Sequence, residues 1–480
     1  MKQAKCILAL AVVAIVLQPA PGQCKETFDK DPKWDGHNNH IARELPPVTV
    51  RQDFGYSSNT AHAGGEPGEI GGTIQPAREP AYYAKPIQTK TLNDRLTASG
   101  KLLVARGSSN TLLGFFNDKT LNEWRTPNTI VIRINSRGET YEAHVEYTSQ
   151  KWRASAGIIG RYDAVTDRNH PLELTCGVMR EWSLEYDPAG NNGSGSITFT
   201  LAGEKALINL IPDLRRDGAT FNRFGLLNVM KSYDGAGDLW LDDLSIDGEA
   251  QDFSRDPQWK GLRNRGEYTT AGVRPRFDFG FSPTHYAGGK AKGELGGVIY
   301  RGDCRYPERM ACYGDRLKTL TLDHPLRASG KVAMRRGVSD STSAIGFYNS
   351  IHSMAVTDSQ QFGTPRDFLG VYIEGPSREG FYFYPVYRNQ LDGTSSGYPN
   401  DRPRILPDGS VHDWTLVYDP AAAQGNGRIT VTLDGQSAGI DLAPGVKASG
   451  ATFDRFGIVT TWIDGNAQEV YFDDLEYTSR

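Results

Sequence analysis

Apolar and polar residues alternate along much of the chain, and turn residues separate the alternating segments. One such segment runs from Trp182 to Tyr186 and stops at Asp187-Pro188, and a second follows a glycine-rich turn at Ser196–Leu201. Two alternating segments around a turn are the pattern of a β-hairpin. Few stretches show the 3.6-residue apolar period of an amphipathic helix, so the pattern predicts an all-β chain.

The first residues follow a different pattern. Lys2 and Lys5 precede an unbroken apolar run from Ile7 to Leu17, and small residues follow at Ala20-Pro21-Gly22. This order predicts a secretory signal peptide over residues 1–23. The run is shorter than the roughly 20 apolar residues that a membrane-spanning helix needs. We therefore expect a secreted or periplasmic protein without a membrane span.

The rest of the chain contains an internal repeat. The segment that begins at Phe28 with Phe-x-x-Asp-Pro-x-Trp recurs at Phe253, 225 positions later. Gly-Ala-Thr-Phe-x-Arg-Phe-Gly begins at both Gly218 and Gly450, and an Asp-Asp-Leu strand closes each copy. The repeat predicts two tandem units, residues 24–250 and 251–480.

The closing strands of each unit resemble those of the concanavalin A-like jelly roll, also called the laminin-G-like sandwich. The resemblance rests on the hairpin, the Phe-x-Arg-Phe-Gly strand and the Asp-Asp strand, taken in that order. It implies an all-β fold of two tandem concanavalin A-like jelly-roll β-sandwiches. Within such a fold we expect four tryptophans to pack in the core or between units: Trp34, Trp182, Trp259 and Trp414.

The amino-acid composition limits the kinds of binding partner that the protein can have. The chain carries 53 basic and 57 acidic residues, a net charge of −4, and shows no basic field of the kind that nucleic acid requires. Four cysteines remain after the signal peptide. Cys304 and Cys312 are close enough to form one disulfide in an oxidising compartment, which leaves Cys24 with Cys176 as the other pairing.

The strand from Tyr141 to Tyr147 is the first candidate for chemistry. Side chains alternate along a strand, so His144 shares a face with Glu142 and Glu146, whereas Tyr141 and Tyr147 share the opposite face. In the second unit the matching strand places Tyr382 and Tyr384 on the face of His144. The alternative to a site is that His144 only pairs with a neighbouring carboxylate on a surface strand.

Arg, Asn and Trp residues cluster near this strand in the sequence. Arg forks suit carboxylate groups, and a Trp ring offers a flat face to a sugar. We take Arg125, Arg133, His144 and Tyr147 as catalytic candidates. The candidate substrate-binding residues are Asn117, Trp124, Asn128, Asn228, Tyr382 and Tyr384. The alternative is that the Arg–Asn loop is a solvated turn.

Two enzyme classes on jelly rolls are relevant. A retaining glycosidase needs two carboxylates about 5 Å apart, and the strand that supplies them in laminarinase-like enzymes, Glu-x-Asp-x-x-Glu, is absent here. A loose similarity to jelly-roll polysaccharide lyases implies instead a base and a group that neutralises a uronic carboxylate. We expect a carbohydrate-active protein that engages an extracellular, acidic polysaccharide and cleaves it by β-elimination. The alternatives are a non-catalytic lectin-like or adhesion protein and a purely structural exported protein.

The closing strands also suggest a metal position. Asp242 and Asp473 begin the repeated Asp-Asp pairs and are candidate ligands of a structural Ca²⁺, together with backbone carbonyls. The alternative is a solvent-facing Asp that ends the strand. No cofactor is required by the predicted chemistry.

Overall fold

A computed structural model describes residues 22–40, 46–107, 110–122, 126–163, 168–230, 235–271, 277–301, 310–338, 341–355, 363–375, 381–390, 394–395, 402–461 and 466–480. Within these ranges the protein is almost entirely β, as the alternation predicts. The α-helix α1 covers Pro212–Asp217, and short 3-10 turns lie at Asn191–Gly193, His352–Met354 and Ala423–Gly425. No helix in the described part is long and apolar enough to span a membrane.

The strands of the first half follow in chain order. They are β1 (Gln23–Glu26), β2 (Asp35–His37), β3 (Val48–Ser57), β4 (Glu69–Ile74), β5 (Tyr82–Thr91), β6 (Leu96–Arg106), β7 (Asn110–Phe116), β8 (Thr129–Arg137), β9 (Thr140–Thr148), β10 (Trp152–Ile158), β11 (Gly160–Asp163), β12 (Arg168–Pro171), β13 (Leu174–Thr175), β14 (Arg180–Asp187), β15 (Ser196–Leu201), β16 (Glu204–Asn209), β17 (Thr220–Asn228) and β18 (Gly237–Ile246).

The remaining strands continue the numbering. They are β19 (Glu249–Gln251), β20 (Lys260–Leu262), β21 (Arg265–Thr270), β22 (Asp278–Ser282), β23 (Glu294–Tyr300), β24 (Cys312–Thr321), β25 (Leu326–Val338), β26 (Ser341–Tyr348), β27 (Phe368–Gly375), β28 (Phe381–Arg388), β29 (Thr394–Ser395), β30 (Arg404–Ile405), β31 (Val411–Asp419), β32 (Arg428–Leu433), β33 (Gln436–Asp441), β34 (Thr452–Val459) and β35 (Ala467–Thr478).

Each half forms two antiparallel sheets with the same strand order. In the first half, sheet I runs β16-β15-β14-β6-β18-β4-β3-β21 and sheet II runs β20-β5-β17-β7-β8-β9-β10. In the second half, sheet III runs β33-β32-β31-β25-β35-β23-β22 and sheet IV runs β2-β24-β34-β26-β27-β28-β29. A short parallel contact between β10 and β25 joins sheet II to sheet III. Sheets II and IV match position for position, and sheets I and III match as far as β3 and β22, beyond which β21 adds one more strand to sheet I.

The predicted hairpins form and fill the core. β14 pairs with β15 and β31 pairs with β32, so that Trp182 and Trp414 lie at matching places. Both indole rings are buried in the main apolar core, together with Tyr186 and Tyr418 on the same strand faces. Burial of a large aromatic side chain is worth roughly 2–3 kcal/mol in water-to-core transfer. The prediction that these tryptophans are core residues is confirmed.

The repeated Phe-x-x-Asp-Pro-x-Trp segments exchange partners between the halves. β1 and β2, at the start of the chain, pair with β35 and β24 of the second half. β19, β20 and β21, which follow the first half in sequence, pair with β18, β5 and β3 of that half. Strand pairing therefore crosses the predicted boundary near Gln251 in both directions. We call residues 22–40 the N-terminal strap and residues 249–270 the central strap.

Both straps are held by the same contacts. Asn39 donates its amide to the Phe279 carbonyl at 2.6 Å, and Asn264 does the same to Phe54 at 2.6 Å. Trp34 packs against Phe28, Tyr313 and Tyr477, while Trp259 packs against Tyr83 and Phe253, in positions related by the repeat. The termini also meet, because Ser479 donates to the Gly22 carbonyl at 2.8 Å. The N-terminal strap thus completes the sandwich whose last strand ends the chain.

Candidate functional site

Sheet II presents one row of side chains on the face opposite the main core. The strand registers place the members of this row directly beside one another from β20 to β9. In order they are Leu262, Tyr82, Leu227, Leu112, Arg133 and His144. We call this set the unit-1 row. Its strap end is apolar and is covered in part by Leu121, whereas its β8–β9 end is polar.

The polar end is built around a buried ion pair. Arg133 Nε donates to Glu146 Oε1 at 2.6 Å, and Arg133 Nη1 donates to the Asn110 amide oxygen at 3.0 Å. The Arg133 side chain is 12% exposed and that of Glu146 is 2% exposed. A guanidinium that is held by a carboxylate and an amide in this way has little freedom to change rotamer. The pair fixes the geometry of this end of the row.

His144 lies across from Arg133 on the neighbouring strand. Its Nε2 lies 3.3 Å from Glu142 Oε2, and both side chains are partly exposed, at 13% and 23%. Asn135, the cross-strand neighbour of Glu142, is also partly exposed. These three side chains offer hydrogen-bond donors and acceptors to a ligand on the sheet face, and the Arg133–Glu146 pair lies beside them on that face. The structure therefore places His144 and Arg133 side by side, as the sequence predicts.

Sheet IV carries the corresponding row of the second half. The registers place His37, Cys312, Val459, Ala344, Tyr372 and Tyr384 side by side, and we call them the unit-2 row. Tyr384 therefore occupies the place of His144, as the sequence predicts. The polar and apolar ends of the two rows are exchanged: the strap end is apolar in the unit-1 row and carries His37 in the unit-2 row. In the unit-2 row the aromatic side chains lie at the β27–β28 end, and His37 and Cys312 line a cavity of about 210 Å³ at the strap end.

Tyr382 and Tyr384 contact their own unit rather than unit 1. The Tyr384 hydroxyl donates to Glu374, and Arg301 pairs with the same carboxylate at 3.1 Å. Tyr384 is buried, and Arg402 stacks on the ring of Tyr382 at 3.4 Å from the ring centre. These two predicted binding residues lie on sheet IV, so they do not join the polar end of the unit-1 row.

Tyr147 does not reach the His144 face. It is 1% exposed and packs in the main core between the sheets. The physical reason is strand alternation, because residues 144 and 147 are an odd number of positions apart and point to opposite faces. The prediction that Tyr147 is a catalytic residue together with His144 is wrong for this geometry.

Three predicted binding asparagines hold turns instead of facing a ligand. Asn117 donates to Thr220 Oγ1 at 2.7 Å, and its carbonyl oxygen accepts the Lys119 amide. Asn128, at φ +60°, accepts the Thr220 amide. Asn228 is fully buried; its side-chain oxygen accepts the Ala81 amide at 2.8 Å, and its amide donates to the Glu79 carbonyl. Asparagine is favoured at such turns because its side chain bonds backbone groups and tolerates positive φ. Arg125 and Trp124 lie outside the described residues.

The carboxylates that were predicted to bind a metal accept hydrogen bonds from backbone N–H groups. Asp473 accepts the amides of Gly289 and Asp474, and Glu294 beside it accepts two amides of the same loop. Asp242 likewise accepts the Asp243 amide. Burial raises the pKa of Asp242 and raises that of Asp473 to about 6. Carboxylates that bind N–H donors clamp a loop and do not present the free oxygen set that Ca²⁺ takes. No group of three or more His, Cys, Asp or Glu suited to a metal occurs among the described residues.

The cysteines are not paired as the sequence suggests. Cys24 and Cys176 are free thiols, one on β1 against sheet III and the other beside Gly138 of the first half. Their predicted pairing is wrong because the N-terminal strap carries Cys24 to the other half of the molecule. Cys312 is also a free thiol, and Cys304 lies outside the described residues.

Comparisons with known proteins give no family. No family model and no curated protein matches the chain. Among solved structures, domains LG4-5 of the mouse laminin alpha1 chain are similar at 13% identity and a TM-score of 0.25, over 88% of this chain and 93% of that one. The carbohydrate recognition domain of Emp47p gives 8% identity and a TM-score of 0.27 over 42% and 88%.

A mutant of the GH43 protein BlXynB from Bacillus licheniformis is similar at 11% identity and a TM-score of 0.25, over 82% of this chain and 100% of that one. Identity and TM-score are low in all three cases. The fold is read from the strands themselves, since each half places two antiparallel sheets of matching order around the apolar core. The chain is an all-β protein, and each of its halves forms a pair of antiparallel sheets.

Proposed function

We propose that this is a secreted protein that binds an extracellular polysaccharide at the polar end of the unit-1 row. The proposal rests on one observation: Asn135, Glu142 and His144 are partly exposed and adjacent on two strands, and a buried ion pair lies beside them on the same sheet face. A sugar chain is recognised by several hydrogen bonds to pre-ordered side chains, and order in the free protein lowers the cost of binding. Export is expected from the signal peptide.

Affinity chromatography on immobilised polysaccharides tests this proposal. We expect retention of the wild-type protein on at least one glycan and about tenfold weaker binding for His144→Ala, since one lost hydrogen bond is worth roughly 0.5–1.5 kcal/mol. His324→Ala is the matched control, because His324 is exposed in the turn between β24 and β25. Equal binding by the His144 and wild-type proteins would remove this face from the site.

β-Elimination at the same face is the second candidate. His144 is a candidate base beside Glu142, and Arg133 supplies a cation one strand away. The Arg133 charge is already compensated by Glu146, so a uronic carboxylate has to compete with that contact. Ultraviolet absorbance of an unsaturated product distinguishes cleavage from binding alone. Retention without product supports a lectin-like protein instead.

A further inference from the structure

The second half contains a histidine–carboxylate pair outside both rows. His352, in the short turn after β26, lies with Nδ1 2.7 Å from Oδ2 of Asp367, the residue before β27. Asp367 is 0% exposed, whereas the imidazole of His352 is 37% exposed. A buried carboxylate that orients a partly exposed imidazole is an arrangement that supports proton transfer, because it fixes the ring and stabilises its protonated form. We call these two residues the unit-2 dyad.

The first half has a neutral clamp at the same place. Asn349 and Asn117 begin the two turns, and the residues that follow them at matching positions are His352 and Thr120. Asp367 corresponds to Asn128, whose amide donates to the Thr120 hydroxyl at 3.3 Å. An amide–hydroxyl contact is sufficient to hold this turn to the sheet. The titratable pair of the second half is therefore more than the turn requires.

The environment of Asp367 adds a second observation. Its Oδ1 is buried and has no hydrogen-bond partner among the described residues, while Oδ2 takes His352, Gln390 at 3.1 Å and Thr452 at 3.5 Å. A buried carboxylate with one uncompensated oxygen is costly, and a nearby imidazolium reduces that cost.

The contacts also select the reactive nitrogen. In the tautomer that carries its proton on Nδ1, that nitrogen donates to Asp367 and the lone pair is on Nε2. The amide nitrogen of the exposed Gln390 lies against both ring nitrogens, 3.1 Å from Nε2 and closer to Nδ1. A ligand that displaces this flexible side chain reaches the basic nitrogen directly.

We propose that His352, oriented by Asp367, is a general base that acts on a uronic-acid polysaccharide. This inference rests on the proposed polysaccharide binding and moves the proton-transfer centre from the first half to the second. Nε2 takes the proton from the ring carbon that bears the carboxylate, and the C–H electron pair forms a double bond to the next ring carbon. The glycosidic C–O bond at that carbon breaks, and the imidazolium returns the proton to the departing oxygen. No water or further reactant is consumed.

The test uses the full-length protein and a variant that copies the clamp of its own first half. His352→Thr with Asp367→Asn recreates the Thr120–Asn128 clamp, so the turn keeps a partner contact but loses the base. We expect its glycan retention to stay at the wild-type level and its rate of forming unsaturated product to fall by about 10²–10⁴-fold. The control variant His324→Ala, in the exposed turn between β24 and β25, should keep both the wild-type retention and the wild-type product rate.

The pH dependence supplies a readout that a structural role does not move. In the wild-type protein kcat/KM should fall at acidic pH as the imidazole becomes protonated, and this fall should be absent from the residual activity of the clamp variant. Retained wild-type protein that gives no product on any uronic polysaccharide overturns the dyad but leaves binding intact. Clamp-variant activity equal to wild type also overturns it. Absence of retention on every glycan is the separate failure of the proposed function.

Discussion

Removal of the Glu146 carboxylate tests the buried ion pair that supports the unit-1 row. The Arg133 side chain is 12% exposed, so in Glu146→Ala its charge stays largely buried with the Asn110 amide as the remaining acceptor described above. Breaking a buried pair by removal of one partner costs about 3–5 kcal/mol. Because Arg133 keeps Asn110 and some solvent contact, we expect the lower end, about 3 kcal/mol.

The second half provides the matched double variant. Its residues at these two positions are Tyr372 and Val386, which are uncharged and belong to one apolar cluster. Arg133→Tyr with Glu146→Val should therefore cost less than Glu146→Ala alone, about 1–2 kcal/mol for imperfect repacking. The surface control is Glu185→Ala. It breaks the exposed pair with Arg95 and should cost under about 1 kcal/mol.

Urea unfolding, followed by circular dichroism and tryptophan fluorescence, measures these differences. The two halves are expected to unfold in separable steps if the straps do not couple them fully, so the comparison applies to the step that shifts. A loss of less than about 1 kcal/mol in the free energy of unfolding for Glu146→Ala would show that the Arg133 side chain becomes hydrated when its partner is removed. If Arg133→Tyr with Glu146→Val is as unstable as Glu146→Ala, then side-chain packing, and not the ion pair, stabilises this end of the row.

Three further outcomes are expected. Lys25 and Glu476 are directly paired on β1 and β35, so the double variant Lys25→Cys with Glu476→Cys should form a disulfide within one chain. Non-reducing gels should then show a monomer. A covalent dimer would mean that the strap completes the sandwich of another copy. Asp473 has a folded-state pKa of about 6, above its unfolded value, so unfolding free energy should fall by at most about 3 kcal/mol as pH rises from 4 to 7, and Asp473→Asn should flatten this slope in pH-dependent melting. Asn228→Ala should lower stability by about 1–3 kcal/mol, with a smaller loss for Asn228→Thr because Thr460 makes the equivalent contact, as compared by thermal melts.

Local patterns predicted the strands and the repeat, because both depend on neighbouring residues. Alternation around Trp182 and Trp414 is enough to specify two hairpins and their buried faces. The exchange of straps was not predictable in the same way. Asn39 and Asn264 make equivalent contacts to Phe279 and Phe54, so the sequence does not tell which half accepts which strap.

The candidate site was predictable only where strand alternation applies. Alternation places His144 and Glu146 on one face, and register then brings Arg133 beside them. The asparagine assignments failed because a polar residue near a site in sequence often serves the backbone of a turn, as Asn128 does. The unit-2 dyad was missed since its two members lie in different turns, and only the aligned Thr120–Asn128 contact shows that a charge pair has replaced a neutral one.

The straps also constrain how the second half is completed. Its row begins at His37 on β2, and its sheet III is joined by β1, so both depend on the N-terminal strap. β35, the partner of β1, is the last strand of the chain. Contacts of such large sequence separation form late, because the closure of long loops costs entropy before any contact repays it. The central strap pairs with the first half across shorter separations, since Lys260 lies beside Ala84 and Arg265 beside Asp53. We therefore infer that the polar face of unit 1 forms before the sheet that carries the unit-2 row and the dyad.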